Sequence, residues 1–212
     1  MPINALRQYL ELLKNSGIKE LYTPLSNKAE ILAKLAVKYS ECTLCPLHAG
    51  RKHTVYGEGN PDAIAMVIGE GPGEQEDLCG RPFVGAAGQL LDKMLISINI
   101  KRQDAYIANI VKCRPPGNRN PESNERLACM PYLVEQIQIV QPKLLLIMGL
   151  VAAQSLLGSS NTLSWFREQN NEFMGIPAYV TYHPAALLRN PNWKRPAYDD
   201  LLAFQKIYQQ WL

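Results

Sequence analysis

Four short apolar runs rich in β-forming residues alternate along this chain with segments of helical periodicity. The apolar runs cover residues 63–68, 105–111, 144–148 and 178–182, and the helical segments between them cover residues 86–98, 121–140 and 151–157. Parallel strands need long crossover connections, which are usually helices that cover both faces of the sheet. The alternation therefore predicts an α/β fold with three layers, α/β/α, around a central four-stranded, mainly parallel sheet.

The 212 residues, of which 47% are hydrophobic, suffice for one well-buried core. A helix is also predicted near the start, where Leu6, Tyr9, Leu10 and Leu13 share one face. A second helix begins after Asn27, whose side chain can form a capping box with Glu30. We therefore expect an N-terminal helical extension over residues 1–27 and one functional domain over residues 28–212.

The charge balance says little about partners, because 22 basic residues face 19 acidic ones. Affinity for a polyanion must then come from the placement of charges rather than from their sum. No run approaches the roughly 20 apolar residues that a membrane-spanning helix needs, and the first residues lack the pattern of a signal peptide. We expect a soluble, cytoplasmic protein that does not bind membranes.

Polar and glycine-rich segments follow three of the predicted strands. They are residues 69–77, residues 109–121, and His183 with Pro184. Open parallel sheets bind ligands beyond the carboxyl ends of their strands. These segments are therefore predicted to meet in one site.

The glycine-rich segment fits neither common phosphate-binding loop. It lacks the Gly-Lys-Ser/Thr ending of one, and the third glycine of a dinucleotide fingerprint would fall on Glu74. A tight strand-to-helix turn would explain the glycines, but it would not explain why Glu70, Glu76 and Asp77 lie so near Phe83. An aromatic ring among glycines and prolines can serve as a platform for a flat ligand.

Four of the five cysteines form a candidate metal site, made of Cys42, Cys45, Cys113 and Cys129. In a reducing compartment such residues are metal ligands or free thiols more often than disulfide partners. Their spacing suits tetrahedral zinc and a four-iron cluster equally, and four ordinary thiols are the alternative. Cys79 has no partner in this scheme and is interpreted as a free cysteine.

His183 differs from the other two histidines because it follows an apolar strand and precedes proline, so that its ring can point into the site. His48 and His53 lie in a basic segment that is interpreted as a solvated loop. Beyond His183, Leu187 and Leu188 stand beside Arg189 in a predicted loop. They could act as a wedge in a base stack, or pack against the C-terminal helix.

Taken together, these segments resemble family 4 of the uracil-DNA glycosylase superfamily, the branch that contains an iron-sulfur cluster. The resemblance runs from Cys42 to the C-terminus and leaves the first 27 or so residues without a role. The segments that carry it are Gly69-Glu70-Gly71-Pro72-Gly73 with Glu76-Asp77, Gly80-Arg81-Pro82-Phe83-Val84-Gly85 with Ala87-Gly88, Asn109 before Lys112-Cys113-Arg114-Pro115-Pro116, and His183-Pro184-Ala185.

The resemblance implies a DNA-repair enzyme that flips uracil out of DNA and hydrolyses its N-glycosidic bond, leaving an abasic site. It implies a 4Fe-4S cluster on the four cysteines. Phe83 would stack on the base, Asn109 would bind its Watson-Crick edge, and His183 would stabilise the departing uracil anion, together with backbone N–H groups near Glu70 and Gly71.

The residue that activates water is left open by the resemblance. The best-known branch of the superfamily has an aspartate where this chain has Gly71. Glu70, Glu76 and Asn118 are the candidates here.

Two other functions remain possible on sequence grounds. One is a non-catalytic DNA-binding or polymerase-associated iron-sulfur module of the same fold, although such a module would not need Phe83, Asn109 and His183 together. The other is an electron carrier, although widely dispersed cysteines suit a structural cluster better. The expected partner is uracil-containing DNA, single- or double-stranded, and the protein is expected to be a monomer.

Overall fold

The computed structural model describes residues 27–212. The predicted extension, including the helix expected over residues 3–13, lies almost wholly outside the described residues. Only Asn27 belongs to both. Its side-chain amide donates to Glu30 Oε1 over 3.2 Å, and its side chain accepts no capping hydrogen bond from the helix backbone.

In the described part of the chain, six strands form a single sheet in the order β1-β3-β2-β4-β6-β5. Their bounds are β1 Glu58–Gly59, β2 Ala65–Gly69, β3 Tyr106–Asn109, β4 Leu144–Met148, β5 Asn171–Phe173 and β6 Ile176–Thr181. The four central strands are parallel, and the short strands β1 and β5 add to the two edges in antiparallel pairing. The central strands are the four that the sequence predicts, so the predicted sheet is confirmed and gains two short edges.

Eight α-helices occur within residues 27–212. Their bounds are α1 Lys28–Tyr39, α2 Glu74–Cys79, α3 Ala86–Ile96, α4 Ser123–Val140, α5 Leu150–Leu157, α6 Leu163–Glu168, α7 Pro184–Arg189 and α8 Lys194–Tyr208. Apolar residues of α1, α4, α5 and α6 share one buried cluster with one face of the sheet, and those of α3, α7 and α8 share a second cluster with the other face. The three-layer prediction is therefore confirmed. None of the helices described here is long and apolar enough to cross a membrane.

Helix α4 begins later than its sequence pattern suggests, at Ser123 after Glu122 rather than at Pro121. The reason is the buried carboxylate of Glu125, which accepts from the Glu122 backbone N–H over 2.7 Å and from both terminal nitrogens of Arg119 over 2.7 and 2.8 Å. This charge-assisted arrangement fixes the first turn.

The segment after His183 is a short helix, α7, rather than the predicted loop. Leu187 is only 2% exposed and packs in the core cluster that contains Leu91 of α3. The prediction of Leu187 as an exposed wedge is therefore wrong, because helical spacing turns Leu187 toward the sheet. Leu188 is 45% exposed on the same helix, and Arg189 is exposed beside it.

Candidate active site

A cavity of about 570 Å³ opens beyond the carboxyl ends of β2, β3 and β6, where the polar segments were predicted to meet. Its wall includes Glu70, Gly71, Glu76, Phe83, Asn109, Asn118 and His183. Three stretches far apart in sequence therefore converge on one site.

Phe83 is held in a backbone conformation that bulky side chains rarely adopt, with φ of +50°. Arg102 clamps this turn, since its guanidinium donates to the carbonyl of Phe83 over 3.0 Å and to that of Pro82 over 2.6 Å. Glu58 and Asp92 pair with the same guanidinium. Sequence reasoning missed Arg102, because no motif marks a residue that binds two distant carbonyls.

Asn109 is the last residue of β3 and is 1% exposed. Its Oδ1 is buried and has no hydrogen-bond partner among residues 27–212. An unpaired buried polar atom is costly, so its presence beside a cavity indicates a polar ligand. Gly69 pairs with Asn109 across the sheet, and a Cβ at Gly69 would come closer than 3.0 Å to the side chains of both Asn109 and Phe83.

His183 caps α7, and its Nδ1 accepts from the Ala185 backbone N–H over 3.2 Å. Burial, assisted by the positive charge of Arg189, lowers the pKa of His183 to about 4. The ring is therefore neutral near pH 7, and since Nδ1 accepts, the proton sits on Nε2. Nε2 is buried and has no partner in the described chain. The ring lies 5.6 Å from that of Phe83, measured between centroids.

Gly149, which precedes α5, makes room for His183. Its φ of +91° is in the left-handed region, and an added Cβ would lie 2.9 Å from the Cβ of His183. A side chain at this position would both strain the backbone and displace His183.

Glu70 follows β2 directly and lies partly buried in the cavity wall. Burial raises the pKa of its carboxyl group, and the charge of Arg126 opposes this in part. A carboxylate with a raised pKa is a better proton acceptor at neutral pH. The neighbouring Gly71 lies against Val111, where an added Cβ would come within 2.7 Å of the valine side chain.

Glu76 lines the cavity and also has a structural task there. Its Oε1 accepts from the backbone N–H groups of Val84 and Gly85, each over 2.8 Å, and its Oε2 accepts from that of Gly73 over 3.1 Å. Both carboxylate oxygens are thus committed to the backbone. Glu76 ties the glycine-rich segment to the segment that carries Phe83.

Asn118 lies exposed at the rim of the cavity, in a left-handed conformation with φ of +56°. Its Oδ1 accepts from Arg114 Nε over 2.8 Å. The acceptor that would orient water is therefore already paired.

A second cavity is lined by the four cysteines predicted as metal ligands. Three donors approach their sulfur atoms: Tyr132 Oη lies 3.1 Å from Cys42, the Lys112 backbone N–H lies 3.2 Å from Cys129, and Arg51 lies 3.5 Å from Cys113. Burial raises the pKa of Cys129 to about 12, so its thiol stays protonated unless a cation binds. Such donors suit sulfur atoms that carry negative charge. Within residues 27–212, no three cysteine, histidine or acidic side chains are arranged so that they could hold a metal ion.

Comparison with known proteins places this geometry in a family. The profile of the uracil DNA glycosylase superfamily matches residues 56–205. Two curated type-4 uracil-DNA glycosylases, from Pyrobaculum aerophilum and Thermotoga maritima, are each 41% identical to this chain. The alignments cover 82% and 77% of the chain and 92% and 86% of those proteins. The chain belongs to the type-4 uracil-DNA glycosylase family.

A more distant relative also lies within the uracil-DNA glycosylases. A type-5 uracil-DNA glycosylase from Pyrobaculum aerophilum is 30% identical over 146 residues. The superfamily match includes Phe83, Asn109 and His183 but begins after Cys42 and Cys45. The glycosylase cavity thus lies inside the shared region, and half of the cysteine set lies outside it.

Proposed function

We propose that this chain is a DNA-repair glycosylase that hydrolyses the N-glycosidic bond of deoxyuridine in DNA and leaves an abasic site. One observation carries the proposal: Asn109 Oδ1 and His183 Nε2 are buried without partners in one cavity, beside the ring of Phe83. Type-4 glycosylase relatives support the substrate. The non-catalytic alternative does not account for two unpaired polar atoms in one cavity.

The base is selected by Phe83 and Asn109. The phenyl ring stacks on the flipped base, and the carboxamide pairs with N3–H and O4 of uracil. Cytosine presents a donor at C4 and an acceptor at N3, so its binding would leave buried polar groups unpaired. Each unpaired group would weaken binding by about 1–3 kcal/mol. The base must leave the stack first, because the bond to be cut cannot be reached inside a duplex.

Bond cleavage depends on the neutral ring of His183. As the C1′–N1 bond breaks, its electron pair leaves with uracil and the sugar gains positive charge. His183 Nε2–H donates to O2 and stabilises the uracil anion, with backbone N–H groups near Glu70 and Gly71 assisting. Water adds to C1′ and gives up a proton, and the uracil anion takes up one proton from solvent.

Glu70 is the group that we assign to the attacking water. It lies in the cavity wall, and burial raises the pKa of its carboxyl group toward a value suited to proton transfer. Glu76 and Asn118 are weaker candidates, because the backbone occupies the oxygens of Glu76 and Arg114 occupies that of Asn118.

Leu188 and Arg189 are proposed to meet the DNA at the rim of the cavity. Leu188 is exposed and apolar, which suits a wedge that fills the gap left by the flipped base. Arg189 lines the cavity and can contact a phosphate. Both single- and double-stranded DNA containing uracil are proposed substrates.

A 4Fe-4S cluster is proposed on Cys42, Cys45, Cys113 and Cys129. Zinc with four thiolates needs all of them about 2.3 Å from one ion. The four cysteines line one cavity, and donors from Tyr132, Lys112 and Arg51 approach three of their sulfur atoms. The choice of iron over zinc follows from the resemblance to the iron-sulfur branch of the superfamily. When bound, the cluster would cross-link the segment before β1, which carries Cys42 and Cys45, to Cys113 after β3 and Cys129 on α4. We further propose that the protein is a monomer and acts in the cytoplasm.

The decisive experiment incubates the purified protein with an oligonucleotide that contains one uracil and then treats it with alkali. Strand cleavage at uracil, and none at cytosine or thymine in the same position, is expected. His183→Ala should slow excision by about 10²- to 10³-fold. Asn109→Ala should also lower it. Wild-type rates in both variants would refute the roles assigned here, and an inactive wild-type protein that carries its metal would refute the function.

A further inference from the structure

The cavity is several times larger than a single base needs, and its wall continues past His183. The residue before this histidine, Tyr182, lines the cavity, and so does Trp193. The remaining wall on this side includes Leu150, Val151, Leu163 and Arg189. The roles given to Phe83, Asn109 and His183 leave this part of the cavity without an occupant.

Tyr182 and Trp193 form an aromatic pair. Their ring centroids are 5.3 Å apart and their planes differ by 27°, which is a stacked arrangement. Tyr182 is fixed by Arg167, whose guanidinium carbon lies 4.5 Å from the ring centroid and whose Nη1 donates to the hydroxyl oxygen over 3.2 Å. Arg167 is in turn fixed by Asp200 over 2.8 and 3.0 Å. Tyr182, on which Trp193 stacks, is therefore held in a fixed position.

Trp193 itself is 41% exposed although it lies against a cavity. A large, rigid aromatic surface that is open to solvent costs free energy unless a ligand covers it. Two basic residues belong to the same region: Arg189 lines the same cavity, and Lys194 follows Trp193 in the chain and is exposed. Aromatic rings with nearby cations are how proteins bind the bases and backbone of single strands.

We propose that Trp193, supported by Tyr182, stacks on the base of a nucleotide adjacent to the flipped uracil. The inference rests on the proposed function and deepens it, since the site then holds at least two nucleotides. Stacking on Trp193 does not depend on the DNA sequence, because every base offers a flat face. It would position the sugar and phosphate next to the uracil while His183, one residue from Tyr182, acts on the base.

The test removes the stacking base rather than only the tryptophan. Three single-stranded oligonucleotides each contain one uracil. The first has ordinary neighbours, and the other two carry a tetrahydrofuran abasic analogue directly 5′ or directly 3′ of it. Alkali does not cleave tetrahydrofuran, so strand cleavage still reports uracil excision. The value of kcat/KM is measured for each, and the dissociation constant is measured by anisotropy of a dye on the DNA.

Trp193→Ala should lower kcat/KM on the ordinary oligonucleotide by about 5- to 150-fold, mainly through KM. On one of the two abasic-analogue substrates the variant and the wild type should be equal, because no base remains to stack. Trp193→Phe should recover most of the loss. Trp165→Ala is the matched control, since Trp165 is 42% exposed but lies outside the cavity wall, and it should behave as wild type.

A Trp193→Ala variant with wild-type kcat/KM would overturn the proposal, and so would an equal loss on all three substrates. The proposed function fails in a different way. In that case the wild-type protein excises no uracil from any of the three, while the dissociation constants still report whether Trp193 contacts the neighbouring base.

Discussion

The backbone N–H of Ala185 donates a hydrogen bond to Nδ1 of His183 over 3.2 Å. This contact commits Nδ1 as an acceptor and leaves the proton on Nε2, which is buried and has no partner among residues 27–212. The histidine that we propose as catalytic is therefore a neutral donor rather than an imidazolium.

The charge state of His183 can be tested by its titration. Its pKa is lowered to about 4 by burial, so the ring should remain neutral down to about pH 5. Nitrogen NMR of histidine-labelled protein, with His183→Gln to assign the signal, would follow it. The unfolded chain binds the proton near pH 6.5, so stability should fall as pH drops from about 6.5 toward 4. A titration of His183 near 6.5 would contradict this.

Glu76 is predicted to affect stability and substrate binding, because it joins the glycine-rich segment to the segment that carries Phe83. Glu76→Gln removes the charge and places an amide NH₂ near a backbone N–H, so the free energy of unfolding should fall by about 1–3 kcal/mol. The KM for uracil-containing DNA should rise as the Phe83 segment loosens. Urea denaturation and steady-state kinetics measure the two effects.

The control is Glu74→Gln on the same helix. Glu74 is exposed and lies 3.6 Å from Arg114, so its loss should change stability by no more than about 0.5 kcal/mol. Equal behaviour of the two variants would show that the three backbone contacts of Glu76 do not hold the site.

Leu187 and Leu188 are neighbours with opposite expected effects. Leu187→Ala should destabilise the fold by about 2–5 kcal/mol, because its side chain is buried in the core. Leu188→Ala should leave stability within about 0.5 kcal/mol and should slow excision from duplex more than from single strands. Thermal melts and paired assays distinguish the two. A loss of stability in Leu188→Ala without a duplex effect would count against the wedge.

The proposed cluster on the four cysteines predicts the iron content of the protein. Protein purified without oxygen should contain four irons and show a broad visible absorbance. Cys129→Ser should lose both, and its melting temperature should fall because the cross-link is gone. Cys79→Ser is the control, since Cys79 is exposed and is not among the cysteines that line the cavity. One zinc per chain would refute the cluster.

The central sheet could be predicted because each parallel strand is a continuous apolar run, and strand β4 coincides with its prediction, Leu144–Met148. Strands β1 and β5 could not, since two or three residues carry no periodicity and form only by pairing with an existing edge. Helix α7 was missed for a similar reason, because six residues that begin with a proline are too few to show a pattern. Its packing against α3 decides that Leu187 is buried.

The candidate site divides in the same way. Phe83, Asn109 and His183 were predicted, because their segments follow strands and resemble a known family. Arg102, Trp193 and the structural task of Glu76 were not, since each depends on contacts with backbone or rings that are distant in sequence. Spacing in the chain holds no information about such contacts.

Gly69 and Gly149 have no side chains, yet each leaves space for side chains of the proposed site. In a scan of all single substitutions, both positions should tolerate almost nothing, Gly149 least of all because of its φ of +91°. Judged by tolerance alone, they would be indistinguishable from residues that touch the substrate. A map of intolerant positions in this enzyme therefore marks the shape of its cavity as much as its chemistry.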